Sequence, residues 1–268
     1  MDFSKIKLVV SDMDGTLLND KHQISKRFFK QFELLKKNDI KFIAASGRQF
    51  QSIIEKLKPI QNDIGIIAEN GAIAKYQGDK NVLLKLEHES IVECIETIRN
   101  IKDCYIVLCA NKSAYIESAD SKFFETLTQY YSEVKKVDDL TKVENDDFVK
   151  IAIYHFNSTE KFVYPHLKHL ESEFQVIVSG QNWLDISHKH ANKAYALEKI
   201  QEKFDISPSE TLVFGDYNND LGMLALGDYS YAMENAHPHV KEKAKYKTKS
   251  NSEEGVEIIL ERLINSIN

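Results

Sequence analysis

"KIKLVVSDMDGTLLND", Lys5–Asp20, decides how the rest of the chain is read. An apolar run, Ile6–Val10, leads into two aspartates one residue apart, Asp12 and Asp14, followed by Gly15 and Thr16. The run reads as a strand buried on both faces, which in turn reads as the interior of a parallel sheet. Two carboxylates ~4 Å apart at an effective dielectric of about 20 repel by roughly 4 kcal/mol. The fold must supply something that offsets this repulsion.

Outward from that stretch, strand and helix signals alternate. "SKRFFKQFELLKKND", Ser25–Asp39, carries apolar residues at helical spacing behind a Ser cap; "IKFIAAS" is a second strand, "RQFQSIIEKLK" a second helix and "IGIIAEN" a third strand. From about Val82 to His190 the pattern changes to short adjacent strands. "CYIVLCAN" and "SAYIES" form a hairpin through Asn111-Lys112, and "FVKIAIYHF", "QVIVSG" and "WLDIS" are further strands. Helices are expected over "DSKFFETLTQYYSE" and "TEKFVYPHLKHLESEF". After Lys193 the first style returns: helix "KAYALEKIQEKF", strand "TLVFGD", helix "DLGMLALG", strand "SYAM" and a last helix over Gly255–Ile267. The expected fold is α/β: a parallel-sheet, Rossmann-like core made of residues 1–81 and 191–268, split by an inserted α+β domain over 82–190.

With 268 residues, 43% of them hydrophobic, the chain can bury a sizeable core. The 35 basic and 41 acidic residues leave a net charge of −6, which argues against a nucleic-acid or anionic-membrane surface. The start has too short an apolar run for a signal peptide, and no later run approaches a membrane span. Cys94, Cys104 and Cys109 contain no CxxC pair and read as reduced thiols of a cytoplasmic protein.

Chemistry-capable residues collect at four places where a strand ends or a helix begins. These are Asp12 to Thr16, "SGR" at Ser46–Arg48, Lys193 at the head of its helix, and "GDYNND" with Asp216 and Asp220. In parallel α/β sheets, ligands bind outside the carboxyl ends of the strands, so these groups should share one crevice. Taken singly, each has a plainer reading: an Asx turn for the aspartates, a helix cap for Ser46, a solvated lysine for Lys193. Together they describe a phosphoryl-transfer site. A divalent cation would draw each carboxylate with about twice the energy of their mutual repulsion at equal distance. Few protein ligands and several waters suit Mg²⁺, with Asp216 joining from another strand end. Ser46, turn N–H groups and Lys193 would neutralise phosphate oxygens. Asp12 is placed to attack phosphorus, and Asp14 to protonate the leaving alcohol and then activate water. Carboxylates sharing a site push one pKa upward, as such an acid requires.

At these residues the chain resembles the haloacid dehalogenase superfamily, whose phosphatases carry DxDGT, a Ser/Thr at the second strand end, a Lys and an acidic GDxxND. "DMDGT", "SGR", "NKAYAL" and "GDYNNDLGM" stand in that order here, and "ENGA", "YAMENA" and "EEGVEIIL" further resemble the Cof-type phosphatases of subfamily IIB. The resemblance implies an α/β cap for the insert and a Mg²⁺-dependent phosphatase acting on a small phosphomonoester through an aspartyl-phosphate. It implies Asp12 as nucleophile and metal ligand, Asp14 as acid/base binding metal through its carbonyl, and Asp216 as metal ligand. Phosphate would be held by the Met13 backbone, Ser46, Gly47 and Lys193, with Asn219 beside it, and Thr16 and Asp220 in support. Ala194 departs from the Gly that relatives often carry after the Lys, without removing a catalytic group.

Substrate choice is expected in the insert and around the crevice, with Asn70, Trp183, Asp185, His188, His190 and Asn235 as candidates to face the substrate. His188 and His190 also form an HxH, for which a hydrogen-bonded or exposed pair is the simpler reading, and Trp183 has core packing as its plainer role. Sugar phosphates, phosphorylated cofactors and nucleotides all remain open. The alternatives are a phosphomutase of the same superfamily, a phospho-acceptor domain, and a phosphate-binding domain without turnover.

Overall fold

A computed structural model describes residues 3–76 and 78–267. Two compact units emerge: residues up to Asn81 together with those from Asn192 onward, and Val82–Ala191.

The first unit is built on a mainly parallel sheet. Its elements are β1 (Leu8–Asp12), α1 (Lys26–Lys37), β2 (Lys41–Ala45), α2 (Phe50–Lys56), β3 (Gly65–Ala68), β4 (Ile73–Tyr76) and β5 (Asp79–Val82). The chain leaves for the second unit through α3 (His88–Arg99), β6 (Tyr105–Ala110), β7 (Ala114–Ile116), α4 (Ser121–Leu127), β8 (Val134–Lys136) and β9 (Phe148–Tyr154). That unit ends with α5 (Thr159–Phe162), α6 (Tyr164–Leu167), β10 (Phe174–Val178) and β11 (Trp183–His188). The first unit resumes with α7 (Lys193–Phe204), β12 (Thr211–Gly215), α8 (Leu221–Ala225), β13 (Tyr229–Ala232), α9 (Pro238–Lys243), β14 (Tyr246–Lys247) and α10 (Gly255–Ile267).

In the first sheet the order is β14-β13-β12-β1-β2-β3-β4-β5, with β14 through β3 parallel and β4 antiparallel to β3. β1 lies between β12 and β2, where the order of strands reverses. Every residue from Leu8 to Asp12 is buried, as an inner strand with helices on both faces requires. α1 starts where the Ser25 side chain accepts the Phe28 N–H, and its Phe28 and Phe32 rings pack on Phe42 of β2 with centroids 5.0 and 6.3 Å apart. α7 starts at Asn192, whose side chain accepts the Tyr195 N–H, and ends at Asp205 in the left-handed conformation.

The second sheet has the order β10-β11-β9-β6-β7-β8, antiparallel except for the β7–β8 pair. Ile106, Leu108, Ile151, Ile153, Leu184 and Ile186 alternate along its strands onto one face and meet Ile91, Cys94, Ile95 and Ile98 of α3.

Three expectations need correction. The helix expected over residues 120–133 stops at Leu127. The one expected over 159–174 is broken into α5, α6 and a 3-10 turn, because Pro165 has no N–H to continue the ladder of α5 and instead stands in the first turn of α6, where none is needed. The third strand ends at Ala68, since Glu69 and Asn70 are left-handed. Cys94, Cys104 and Cys109 are free thiols. Among the described residues, no helix is long and apolar enough to cross a membrane.

Candidate active site

β1 delivers Asp12 to the carboxyl end of the sheet at its reversal point, where the chain turns sharply. Leu18 N–H donates to the Met13 carbonyl at 2.8 Å and Leu17 N–H to the Asp12 carbonyl at 3.3 Å. Gly15 sits in this turn at φ +77°, and a Cβ there would lie 2.4 Å from Asp216 Oδ2, so glycine is required by conformation and by space. The turn is secured from outside by Asn235, whose amide donates to the Gly15 carbonyl at 2.7 Å. Thr16 Oγ1 donates to Asp216 Oδ1 at 3.0 Å.

α7 brings in Lys193. Its buried ammonium donates to Asp12 Oδ1 at 2.5 Å and to Asp220 Oδ1 at 2.7 Å. The other oxygen of Asp220 accepts the Asp216 and Tyr217 N–H groups at 3.0 and 3.1 Å, closing the loop after β12. Asp12, Asp216 and Asp220 each offer an oxygen within 4.8 Å of the others. Three carboxylates therefore surround one ammonium in a desolvated place, a formal charge of about −2 if all are ionised. Burial pushes the Asp12 carboxyl well up, an effect that Lys193 opposes and Asp220 and Asp216 reinforce. Asp216 is pushed up to about 6 by burial and the charge of Asp220. Burial disfavours the Lys193 ammonium, but the two carboxylates outweigh it and raise its pKa.

Asp14 faces a different environment. Its carboxylate is held by two parallel hydrogen bonds from Arg48, Nε to Oδ2 at 2.6 Å and a terminal nitrogen to Oδ1 at 2.7 Å, with His22 Nδ1 3.4 Å away. Burial opposes ionisation here, but the guanidinium outweighs it and lowers the Asp14 pKa. The upward push expected for the acid thus falls on Asp12 and Asp216 instead. Arg48 was not legible as a site residue, because nothing in "SGR" says that its side chain turns back 34 residues to Asp14.

β2 presents Ser46 and Gly47. Ser46 is buried, its N–H donates to the Ile67 carbonyl at 2.8 Å and its Oγ accepts the Arg48 N–H at 3.1 Å. Asn219 donates through its amide to Asn70 Oδ1 at 3.1 Å. The first unit therefore gathers Asp12, Met13, Asp14, Thr16, Ser46, Gly47, Asn70, Lys193, Asp216, Asn219, Asp220 and Asn235 around the strand ends. The remaining substrate candidates belong to the second unit. There Trp183 packs on Tyr154 at 4.9 Å and on Tyr130 at 5.5 Å, and Asp185 is buried 3.8 Å from Lys150 Nζ. The His188 and His190 rings lie 5.6 Å apart, and the His190 N–H donates to His188 Nδ1 at 3.2 Å.

The carboxylates of Asp12 and Asp216 suit a hard divalent cation, and the charge imbalance around Lys193 gives such an ion a physical reason to bind. Among known proteins, the model of the haloacid dehalogenase-like hydrolases matches residues 9–260. The 5-amino-6-(5-phospho-D-ribitylamino)uracil phosphatase YbjI of Escherichia coli is 31% identical over 265 residues, covering 97% of this chain and 96% of its own. A solved structure from Streptococcus mutans UA159 superposes with a TM-score of 0.88 at 26% identity, covering 97% of this chain and 99% of its own. A subclass IIB sugar phosphatase shares the fold with a TM-score of 0.82 at 21% identity, over 96% of this chain and 98% of its own.

Proposed function

The chain belongs to the haloacid dehalogenase-like hydrolases, and from that premise we propose a Mg²⁺-dependent phosphatase that works through an aspartyl-phosphate on Asp12. The phosphatase activity itself follows from its relatives, of which the Escherichia coli enzyme matches nearly the whole chain. The observation that carries the mechanism is the buried Lys193 ammonium bridging Asp12 and Asp220 while Asp216 converges on the same space.

Asp12 and Asp216, with the Asp14 carbonyl, would hold Mg²⁺, which when bound lowers the net negative charge that an incoming phosphate meets. Lys193 keeps one Asp12 oxygen fixed and opposes the upward push of burial on its carboxyl, which favours the ionised form that attacks. Ser46 and Lys193 then bind phosphate oxygens, and the Asp12 carboxylate forms a bond to phosphorus as the bond to the leaving oxygen breaks. Asp14 supplies the proton for that oxygen and afterwards takes one from the water that attacks phosphorus, restoring Asp12. Held by Arg48, Asp14 is unprotonated. Acid catalysis therefore requires it to exchange the guanidinium for the substrate, whose phosphate charge raises its proton affinity.

The substrate is a small phosphomonoester. The 31% identity to a ribitylaminouracil phosphate phosphatase puts that compound first among those to be tried, ahead of hexose and pentose phosphates, nucleotides and phosphorylated cofactors. The test is phosphate release across such a panel with Mg²⁺, with EDTA, and with Asp12→Asn. Release that disappears under both perturbations is the expected result. Undiminished release by Asp12→Asn would remove the nucleophile assignment, and release in EDTA would remove the metal.

A further inference from the structure

Between β3 and β4 the chain makes a turn whose backbone is unusual at three successive residues. Glu69, Asn70 and Gly71 have φ of +49°, +53° and +98°. Glycine adopts such values freely, but for Glu and Asn the left-handed region is disfavoured, and asparagine tolerates it best among ordinary residues. Two such residues in a row persist only where the surroundings over-determine them. A strand can end in many cheaper ways, so the partners of this turn are informative.

Those partners come from three of the strand-end loops that form the candidate site. The Asn70 N–H donates to the Ser46 carbonyl and the Glu69 N–H to the Arg48 carbonyl, both at 3.1 Å, so the turn grips either side of Gly47. Asn70 Oδ1 accepts the Asn219 amide at 3.1 Å, across 149 residues of sequence. Gly47 is pressed against the same side chain, for a Cβ there would lie 3.0 Å from Asn70 Oδ1. On the other side, a Cβ at Gly71 would lie 2.1 Å from the Asn192 carbonyl oxygen, so the turn also abuts the residue that caps α7 and precedes Lys193. Asn70 itself is buried.

We infer that the Glu69–Asn70–Gly71 turn is a positioning device for phosphate binding, in which Asn70 fixes the Ser46–Gly47 loop against Asn219 beside the head of α7. Asn70 is then a positioning residue and not a reader of the leaving group. The left-handed backbone aims its N–H at one loop and its side chain at another. The inference rests on the phosphatase reading of the site and adds to it the element that sets the spacing of its phosphate-binding groups. Such spacing matters because donors stabilise a phosphoryl group only when held at hydrogen-bond distance before the reaction.

The test separates side chain from backbone. Asn70→Gly keeps the left-handed conformation and the N–H to Ser46 but deletes the link to Asn219. It is compared with Asn219→Ala and with the double variant, reading kcat and KM for p-nitrophenyl phosphate, the Kd of inorganic phosphate in Mg²⁺, and Tm. Expected is a Tm for Asn70→Gly close to the wild-type value, phosphate affinity weakened about tenfold, and a double variant no worse than the worse single variant. A purely structural role would move Tm and leave the phosphate Kd alone, which would overturn the inference, as would losses that multiply in the double variant. An active wild type unaffected by Asn70→Gly overturns this inference only. A wild type that neither hydrolyses any member of the panel nor binds phosphate overturns the phosphatase reading and this inference with it.

Discussion

Replacing Lys193 by Met tests the electrostatic balance of the site most severely. The side chain is 1% exposed, and its ammonium lies 2.5 Å from Asp12 and 2.7 Å from Asp220. At an effective dielectric of about 20, each contact contributes roughly 6 kcal/mol of attraction, most of it offset by the desolvation of the charges. Methionine fills a similar volume, so little is lost in packing, while Asp12, Asp216 and Asp220 lose the ammonium that faces them. Removing one partner of a buried pair costs about 3–5 kcal/mol, which corresponds to a fall in Tm of roughly 6–20 °C for a unit of this size. The loss should depend on pH in a defined direction. Asp216, at about 6, and Asp12 have raised pKa values, so the folded state binds more protons than the unfolded chain, and their ionisation costs stability as pH rises through that range. Without the ammonium this cost grows, so the gap between Lys193→Met and wild type should be largest near pH 7 in EDTA and narrow as pH falls toward 5. Adding Asp220→Asn to Lys193→Met should recover part of the loss. Thermal unfolding of the three proteins in EDTA at several pH values gives the answer. Equal Tm values for Lys193→Met and wild type at pH 7, or a gap indifferent to pH, would refute the charge balance described here.

Three further outcomes follow from particular contacts. Gly15→Ala places a methyl 2.4 Å from Asp216 Oδ2 at a φ of +77°, so Mg²⁺ affinity by calorimetry and kcat should both fall at least about tenfold. Wild-type values there would mean that the turn relaxes freely. Arg48→Gln removes the guanidinium that holds the Asp14 pKa down, so in a pH–rate profile the limb set by protonated Asp14 should move to higher pH. An unmoved limb would dissociate Asp14 from proton delivery. Glu210 is held down to about 2 by its hydrogen bond to Lys7 and by Ser207. That stabilisation is present above the ordinary carboxylate pKa and is lost as pH falls through about 2, so Glu210→Gln should be less stable than wild type at pH 7 and equal to it below about pH 2. A difference in Tm that persists in acid would point to packing instead.

The residues legible from sequence are those whose positions follow from where apolar strands stop. Asp12, Ser46 and Asp216 sit at such ends, and Lys193 follows a short capped stretch at the start of a regular amphipathic helix. For these, patterning of neighbouring residues carries the location. The less visible features depend on backbone states and side-chain directions that patterning does not encode. "IGIIAEN" gives no warning that Glu69 and Asn70 turn left-handed, because both residues also fit an extended continuation. Arg48 reads as the start of a helix, and only three-dimensional placement returns its guanidinium to Asp14. Nothing in "YAMENA" signals that the Asn235 amide holds the Gly15 carbonyl, a contact that joins positions 220 residues apart. The breaks near Pro165 follow from its missing N–H, a local signal that the strong apolar periodicity on either side outweighs when the sequence is read alone.

The central claim is that Asp12 becomes phosphorylated and that Asp14 activates the water that releases the phosphate. p-Nitrophenyl phosphate has a leaving group that needs no proton, so with Asp14→Asn its first displacement proceeds while the second stalls. The decisive measurement is peptide mass analysis of acid-quenched Asp14→Asn protein after brief exposure to this substrate and Mg²⁺. The account predicts one phosphoryl group, sensitive to hydroxylamine, on the peptide containing Asp12 and none in Asp12→Asn/Asp14→Asn. Turnover without any phosphorylated protein, or a phosphoryl group on another residue, would contradict it.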